Sequence, residues 1–176
     1  MRNKSSLNEI RDLYRLHAVF KQTFEAAYKS RQTELRKYGI TPEQATALIL
    51  VKTIGKKATP SEVSGWLFRE PHSTLNLLRR MEKQGLVNMG PDSGNKHLIR
   101  ISLTEKGDEA YYHAIKYDSS TKTYAALSEE QRQQLWSILQ ILRERALKNL
   151  KMDSKSTSRL TAALMRPLSD IKDTPK

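Results

Sequence analysis

The chain contains no cysteine among its 176 residues. Disulfide frameworks, thiolate nucleophiles and cysteine-ligated zinc are therefore outside its chemistry. It has only 7 glycines and 6 prolines, and no glycine-rich phosphate loop, so nucleotide hydrolysis finds no support. No apolar run approaches the ~18–20 residues that a membrane span needs. The opening Met1-Arg2-Asn3-Lys4-Ser5-Ser6 is basic but leads into a mixed polar segment, unlike a signal peptide. A cytoplasmic protein without a membrane partner is the expectation. The 4 histidines, His17, His72, His97 and His113, share no short metal spacing. No metal or cofactor is expected, and a metal site could arise only across a dimer. Asp108-Glu109 sits early in an expected helix, where acids favour the dipole, which is a simpler role than paired catalytic carboxylates.

What the chain has is positive charge: 31 Lys and Arg against 19 Asp and Glu, a net +12. Such a balance suits a polyanion, nucleic acid or an anionic surface. The charge is uneven. Residues 1–40 carry +5 and residues 143–176 carry +5, residues 55–106 carry +4, and residues 107–142 carry −2. Charge alone therefore does not locate a binding face.

Residues 7–37 hold no Gly or Pro, and Leu7, Ile10, Tyr14, His17, Phe20, Phe24 and Tyr28 recur every three or four positions. That is one apolar stripe on a long helix, and a stripe this long needs a long partner. Gly39 ends it. Thr41-Pro42-Glu43-Gln44 and Thr59-Pro60-Ser61-Glu62 are two helix starts with capping boxes. The first opens a buried helix to Gly55. The second opens a short helix over about 59–68, which Glu70-Pro71 breaks. A further helix is expected from about Ser73 to Gln84. Leu86 to Met89 is a strand candidate, Gly90 to Asn95 a turn, and Lys96 to Leu103 alternates as a returning strand with His97, Ile99, Ile101 and Leu103 on one face. Thr104 caps a helix running to about Ala126, rich in tyrosine (Tyr111, Tyr112, Tyr117, Tyr124). Ser128-Glu129-Glu130-Gln131 opens a last helix with Leu135, Ile138, Leu139, Leu142, Ala146 and Leu150 in register. Beyond it, Leu160 to Leu168 could form a short helix, but a flexible tail over 151–176 is favoured.

The middle of this order is a helix-turn-helix followed by a hairpin wing. Val63, Trp66 and Leu67 are expected to pack on Leu77, Leu78 and Met81. That leaves Ser73, Leu75, Asn76 and Arg79 facing out, where a helix enters the major groove. Asn reads adenine, Arg reads guanine and Leu meets a thymine methyl. Arg80 and Lys83 are placed for phosphates.

From about Leu35 to Gly107 the sequence resembles the MarR family of winged helix-turn-helix regulators. The resemblance rests on Gly39-Ile40-Thr41-Pro42-Glu43-Gln44, Ala58-Thr59-Pro60-Ser61-Glu62-Val63, Arg80-Met81-Glu82-Lys83-Gln84-Gly85-Leu86-Val87 and Ser102-Leu103-Thr104-Glu105-Lys106-Gly107, in that order. With the flanking long helices it covers roughly residues 7–150. It implies a homodimer on a pseudo-palindromic double-stranded operator, mostly a repressor and not an enzyme, often released by a small aromatic or phenolic ligand. It also implies a ligand pocket between the dimerisation helices and the winged domain, which the tyrosines would line unless they serve core packing. One motif departs. The family's wing carries Asp-x-Arg, whose Arg enters the minor groove, and here the positions read Asn95-Lys96-His97. Lys96 is the candidate replacement, with Arg100 for the DNA backbone.

The expected fold class is mainly α with a small β-hairpin wing. The expected organisation is a dimerisation helix over 1–38, a winged domain over 39–107, dimerisation helices over 108–150 and the tail. Leu7, Ile10, Tyr14 and His17 would meet Leu135, Ile138, Leu139 and Leu142 at the dimer interface. An architectural DNA binder that senses nothing is the alternative of different class. An enzyme with an amphipathic membrane or substrate face lacks any catalytic constellation.

Overall fold

The computed structural model describes residues 4–116 and 119–151. Lys4–Leu35 forms one helix, α1. A 3-10 turn, Arg36–Tyr38, follows, and Gly39 takes the left-handed exit at φ 68, where a Cβ would be strained. Only the C-terminal end of α1 packs into the body of the protein. Leu35 is buried, Ala27 and Tyr28 are half-buried, and every side chain from Ser6 to Ala26 is exposed.

Helix α2 (Pro42–Ile54) and helix α3 (Pro60–Leu67) both begin as the sequence indicates. The hydroxyls of Thr41 and Thr59 accept from the amides of Gln44 and Glu62, and both capping boxes close. Each cap contributes about 1 kcal/mol. Helix α2 is the centre of the core, with Ala45, Ala47, Leu48, Leu50 and Val51 buried. Around it lie Leu35, Ile40, Val63, Leu77, Leu78, Met81, Leu86, Val87, Ile101, Ala110 and Tyr111.

Helix α4 (Pro71–Lys83) begins two residues earlier than the sequence reading placed it. Pro71 does not merely stop α3. Its fixed φ suits the first helical position, where the missing N–H costs nothing. The connection between the two helices is therefore only Phe68, Arg69 and Glu70.

Strands β1 (Val87–Pro91) and β2 (Ile99–Leu103) pair antiparallel, from Val87 opposite Leu103 to Pro91 opposite Ile99. The returning strand begins at Ile99, not at Lys96. Side chains hold the intervening residues in a loop instead. Asp92 Oδ1 accepts the amides of Gly94 (2.9 Å) and Asn95 (3.0 Å), and Asn95 Oδ1 accepts that of His97 (3.1 Å). Such local bonds compete with a strand ladder. The hairpin is tied to the domain by the Ile101 amide, which donates to the Ala58 carbonyl at 3.0 Å.

Thr104 opens helix α5 (Glu105–Lys116) by accepting the Gly107 amide at 2.9 Å while donating to the Gly85 carbonyl at 2.6 Å. Two helices, α5 and α6 (Ser119–Ala125), occupy the stretch expected as one. The Ser119 amide donates to Glu34 of α1 at 2.7 Å, so α6 starts on a partner from another element rather than on an upstream carbonyl. Helix α7 (Glu129–Asn149) starts at the Ser128 capping box. Its buried residue is Leu147, which the expected register omitted, while Ala146 is exposed. Tyr117 and the segment from Met152 onward, including Leu160 to Leu168, lie outside the described residues. No described helix is long and apolar enough to cross a membrane.

Candidate nucleic-acid interface and the adjoining cavity

Helix α4 is amphipathic. Thr74, Leu77, Leu78 and Met81 are buried. Ser73, Asn76, Arg79, Arg80 and Lys83 are exposed and share an open groove with Arg69 and Glu82. Leu75 is half-buried rather than fully outward. The Asn76 amide lies 3.4 Å from His72 Nδ1, one turn earlier on the same helix. Of the residues expected to pack α3 on α4, Val63 is buried, while Trp66 and Leu67 are only partly covered.

The turn before α4 is built by α3. Phe68 caps α3 in the left-handed region at φ 50 and sends its amide to the Ser64 carbonyl. The Ser64 hydroxyl donates to the Arg69 carbonyl at 2.7 Å. A bulky residue rarely takes this backbone conformation, and here the Ser64 contacts on both sides hold it. Behind α4, the Glu82 carboxylate accepts the Met89 amide at 3.0 Å. The helix and the wing are thereby fixed to one another.

In the wing, Asn95, Lys96 and His97 are exposed at the loop. Arg100 is placed differently. Its Nε donates to Asp92 Oδ2 at 2.6 Å and its terminal nitrogen to the Lys57 carbonyl at 2.7 Å. The guanidinium thus joins the loop to the base of the domain instead of pointing outward. The Asp92 carboxyl is held below its usual range, first by Arg100 and then by the Gly94 amide.

A second feature adjoins the turn on its other side. A cavity of about 590 Å³ opens between α1, α2, α3, α6 and α7, with Phe24, Trp66, Leu67, Phe68 and Tyr124 among its apolar walls. Tyr28, Glu43, Arg31, Thr46 and Arg143 bring polar groups to it. The Tyr28 hydroxyl donates a short hydrogen bond to Glu43. That bond, with burial, pushes the phenol up to about 12. Burial pushes Glu43 up, but the bonds from Tyr28, its backbone and Thr41 outweigh it, so the carboxyl sits below its ordinary value. Of the expected pocket tyrosines, Tyr124 lines this cavity. Tyr111 is buried in the core, with Tyr112 packed beside it. Sequence reasoning missed Arg69, the Tyr28–Glu43 pair and the Asp92–Arg100 pair. Only the last had a local signal, a turn acid facing a strand cation.

The residues expected at a dimer interface are largely uncovered. Leu7 is 55% exposed, Ile10 60%, Tyr14 72%, Ile138 53% and Leu142 50%. His17 is exposed, and Leu135 and Leu139 are half-buried. Leu13, Leu16, Phe20 and Phe24 of α1 are exposed as well. Among the described residues no group of acids and histidines could hold a metal ion.

No protein-family model matches the chain. It is 30% identical over 105 residues to the uncharacterized HTH-type transcriptional regulator YsmB of Bacillus subtilis, an alignment spanning 60% of this chain and 66% of that one, a little under two thirds. The organohalide-sensing transcriptional regulator RdhR, in its ligand-free form, superposes over 89% of this chain and 91% of its own with a TM-score of 0.71 and 26% identity. A mutant MarR from E. coli complexed with operator DNA shares the fold, with a TM-score of 0.64 at 21% identity over 77% of this chain and 96% of that one. The chain has the winged-helix fold of MarR-type regulators. In MarR-type terms, α3 and α4 are the helix-turn-helix, β1 and β2 the wing, and α1 with α5 to α7 the flanking helices.

Proposed function

We propose that the protein is a homodimeric, sequence-specific DNA-binding transcription regulator, a repressor acting in the cytoplasm on a pseudo-palindromic operator, and not an enzyme. The observation that carries this reading is the outer face of α4. Ser73, Asn76 and Arg79 are exposed together on a helix whose opposite side is buried, with Arg80 and Lys83 alongside. Asn76 and Arg79 carry the donor and acceptor patterns that read adenine and guanine, and Arg80 and Lys83 suit phosphates. The wing adds Lys96, with Asn95 and His97 beside it. Arg100 holds the wing's shape, and its contribution to binding is indirect.

The exposed apolar side chains of α1 and α7 support a dimer reading, in which a second copy of the chain covers them about a two-fold axis. That axis would set the two α4 helices about one DNA turn apart, ~34 Å. The winged domain over 39–107 then serves as reader, and the flanking helices as the dimer frame.

The cavity beside the turn is read as the effector site. Its aromatic walls suit a flat ring, and Arg31 and Arg143 against Glu43 favour an acidic one. RdhR, 26% identical to this chain, is also known in a 2,4-dichlorophenol-bound form.

Selection of bound DNA from a random pool tests the reading, repeated with benzoate and with 2,4-dichlorophenol present. A palindromic consensus that either compound weakens is the expected result. Binding without any consensus would instead favour the architectural binder.

A further inference from the structure

We propose that Lys56 and Lys57 form a further contact site for the DNA phosphate backbone, beside the wing, and that Arg100 locks their turn to the loop carrying Lys96 so that the two bind as one unit. The proposal rests on the reading of α4 and the wing as DNA-binding.

Position comes first. After α2 the chain makes one 3-10 turn, Gly55–Lys57, closed by the Ala58 amide on the Gly55 carbonyl at 2.9 Å. It then runs along the edge of β2 that faces away from β1. The Ile101 amide donates to the Ala58 carbonyl at 3.0 Å. One residue nearer the wing loop, the Arg100 side chain donates to the Lys57 carbonyl at 2.7 Å. Lys57 and Ala58 therefore lie alongside Arg100 and Ile101 in the same direction, and the turn before them sits at the loop end of the hairpin. Ala58 and Ile101 are buried, whereas Lys56 and Lys57 are exposed.

The wing loop is held by the same guanidinium. Arg100 Nε donates to Asp92 Oδ2 at 2.6 Å, and Asp92 Oδ1 accepts the amides of Gly94 and Asn95, next to Lys96. One planar fork thus spans the loop and the lysine turn. A lysine at this position would offer a single compact ammonium and could not reproduce the fork.

Other lysines of the winged domain are committed to the protein. Lys52 pairs with Asp108 at 2.8 Å, and Lys106 Nζ donates to the Gln84 carbonyl at 2.9 Å. Lys56, Lys57 and Lys96 are exposed at the loop end of the hairpin instead. In a helix-turn-helix the first helix crosses the DNA backbone while the second enters the groove. Lys56 and Lys57 lie just before α3, the first helix of the pair, where a backbone contact fixes the register of the second. They also follow the C-terminus of α2, which favours cations. A purely structural role there would appear in stability and leave DNA affinity alone.

The test uses the full chain and several unrelated duplexes, with affinity measured against salt concentration. Replacing both lysines (Lys56→Gln with Lys57→Gln) should weaken binding by roughly tenfold or more, equally on every duplex, and reduce the salt slope by about two. The urea midpoint should stay at the wild-type value. Lost stability with an unchanged slope would assign the lysines to the end of α2 and overturn the contact. Arg100→Lys keeps the charge and removes the fork. It should bind several-fold more weakly, with faster amide exchange at both Asn95 and Ala58, and wild-type binding by this variant would overturn the locking. Should Arg100→Lys fail to fold by circular dichroism, Asp92→Asn releases the same guanidinium from the loop side. It removes an acid, which by itself would tighten binding to a polyanion, and it should weaken binding; tighter binding would likewise refute the lock. Arg80→Gln on α4 tests the reading beneath. If it lowers the slope and the lysine pair does not, α4 stands as the DNA-binding helix and the lysine site falls. If neither changes the slope, both fall.

Discussion

Single residues show where the chain has little latitude. Gly107 is one: a Cβ added there would lie 1.9 Å from the Leu86 carbonyl oxygen. That oxygen is backbone and also accepts the Thr104 amide at 3.2 Å, so it cannot step aside. Gly107→Ala should destabilise the fold by roughly 1–3 kcal/mol, the range of overpacked core sites, and urea denaturation measures it. Thr74 predicts the opposite sign. It is fully buried, and its hydroxyl finds no hydrogen-bond partner among the described residues. Replacing it with an isosteric apolar side chain removes an unsatisfied group. Thr74→Val should therefore stabilise by about 1 kcal/mol, and a lower denaturation midpoint would refute the assignment. Tyr28 offers a spectroscopic reading. Its phenol, pushed up to about 12 by Glu43, is raised above its unfolded value. The stability it confers is complete below about pH 10 and is lost as pH rises toward 12. Ultraviolet titration should show the Tyr28 phenol ionising late, and Glu43→Gln should bring it down.

At the scale of elements, legibility followed the locality of the signal. The three capping boxes at Thr41, Thr59 and Ser128 are each written in four consecutive residues, and all three form. The order of helices and hairpin follows from such local marks, and so does the placing of Ser73, Asn76, Arg79, Arg80 and Lys83 on an open face. What the sequence hid depends on contacts between distant segments. The start of α6 depends on Glu34, far upstream in the chain. The Tyr28–Glu43 pair joins α1 to α2, and the cavity draws walls from five helices. No window of neighbouring residues holds those facts. The wing is intermediate: its alternating pattern was visible, but Asp92 and Asn95 shorten the strand through bonds that a period of two does not register. The same bonds give the wing a pH limit. The Asp92 carboxyl is held low by Arg100 and the Gly94 amide, so its stabilisation is present above the unfolded carboxyl pKa, about 4. It is lost as pH falls through the lower folded value. Asp92→Asn should therefore loosen the loop carrying Lys96 at neutral pH, seen as faster amide exchange at Gly94 and Asn95. The wild type should match it only in acid.

For the whole molecule, the question is what covers α1. From Ser6 to Ala26 every side chain is exposed among the described residues, and Ile10, Leu13, Leu16, Phe20 and Phe24 stand 52–64% exposed along one side. Intrinsic propensity alone leaves an isolated helix marginal in water, and most helical stability comes from packing an amphipathic face. The residues of α7 that would answer it, Ile138, Ile141 and Leu142, are exposed as well. In a two-fold dimer each substitution is counted twice, because the same patch occurs on both sides of the interface. Phe20→Asp would place a charge in the apolar seam of both copies, at a cost of several kcal/mol for each. The side chain touches nothing in the core, so the winged domain should keep its circular dichroism and its urea midpoint. Sedimentation should show half the wild-type mass. Binding to a selected palindromic duplex should fall to that of one half-site, since a single α4 then faces the DNA. A variant that still sediments as a dimer would place the interface elsewhere, and one that loses its fold would mean that α1 contributes to the monomer after all.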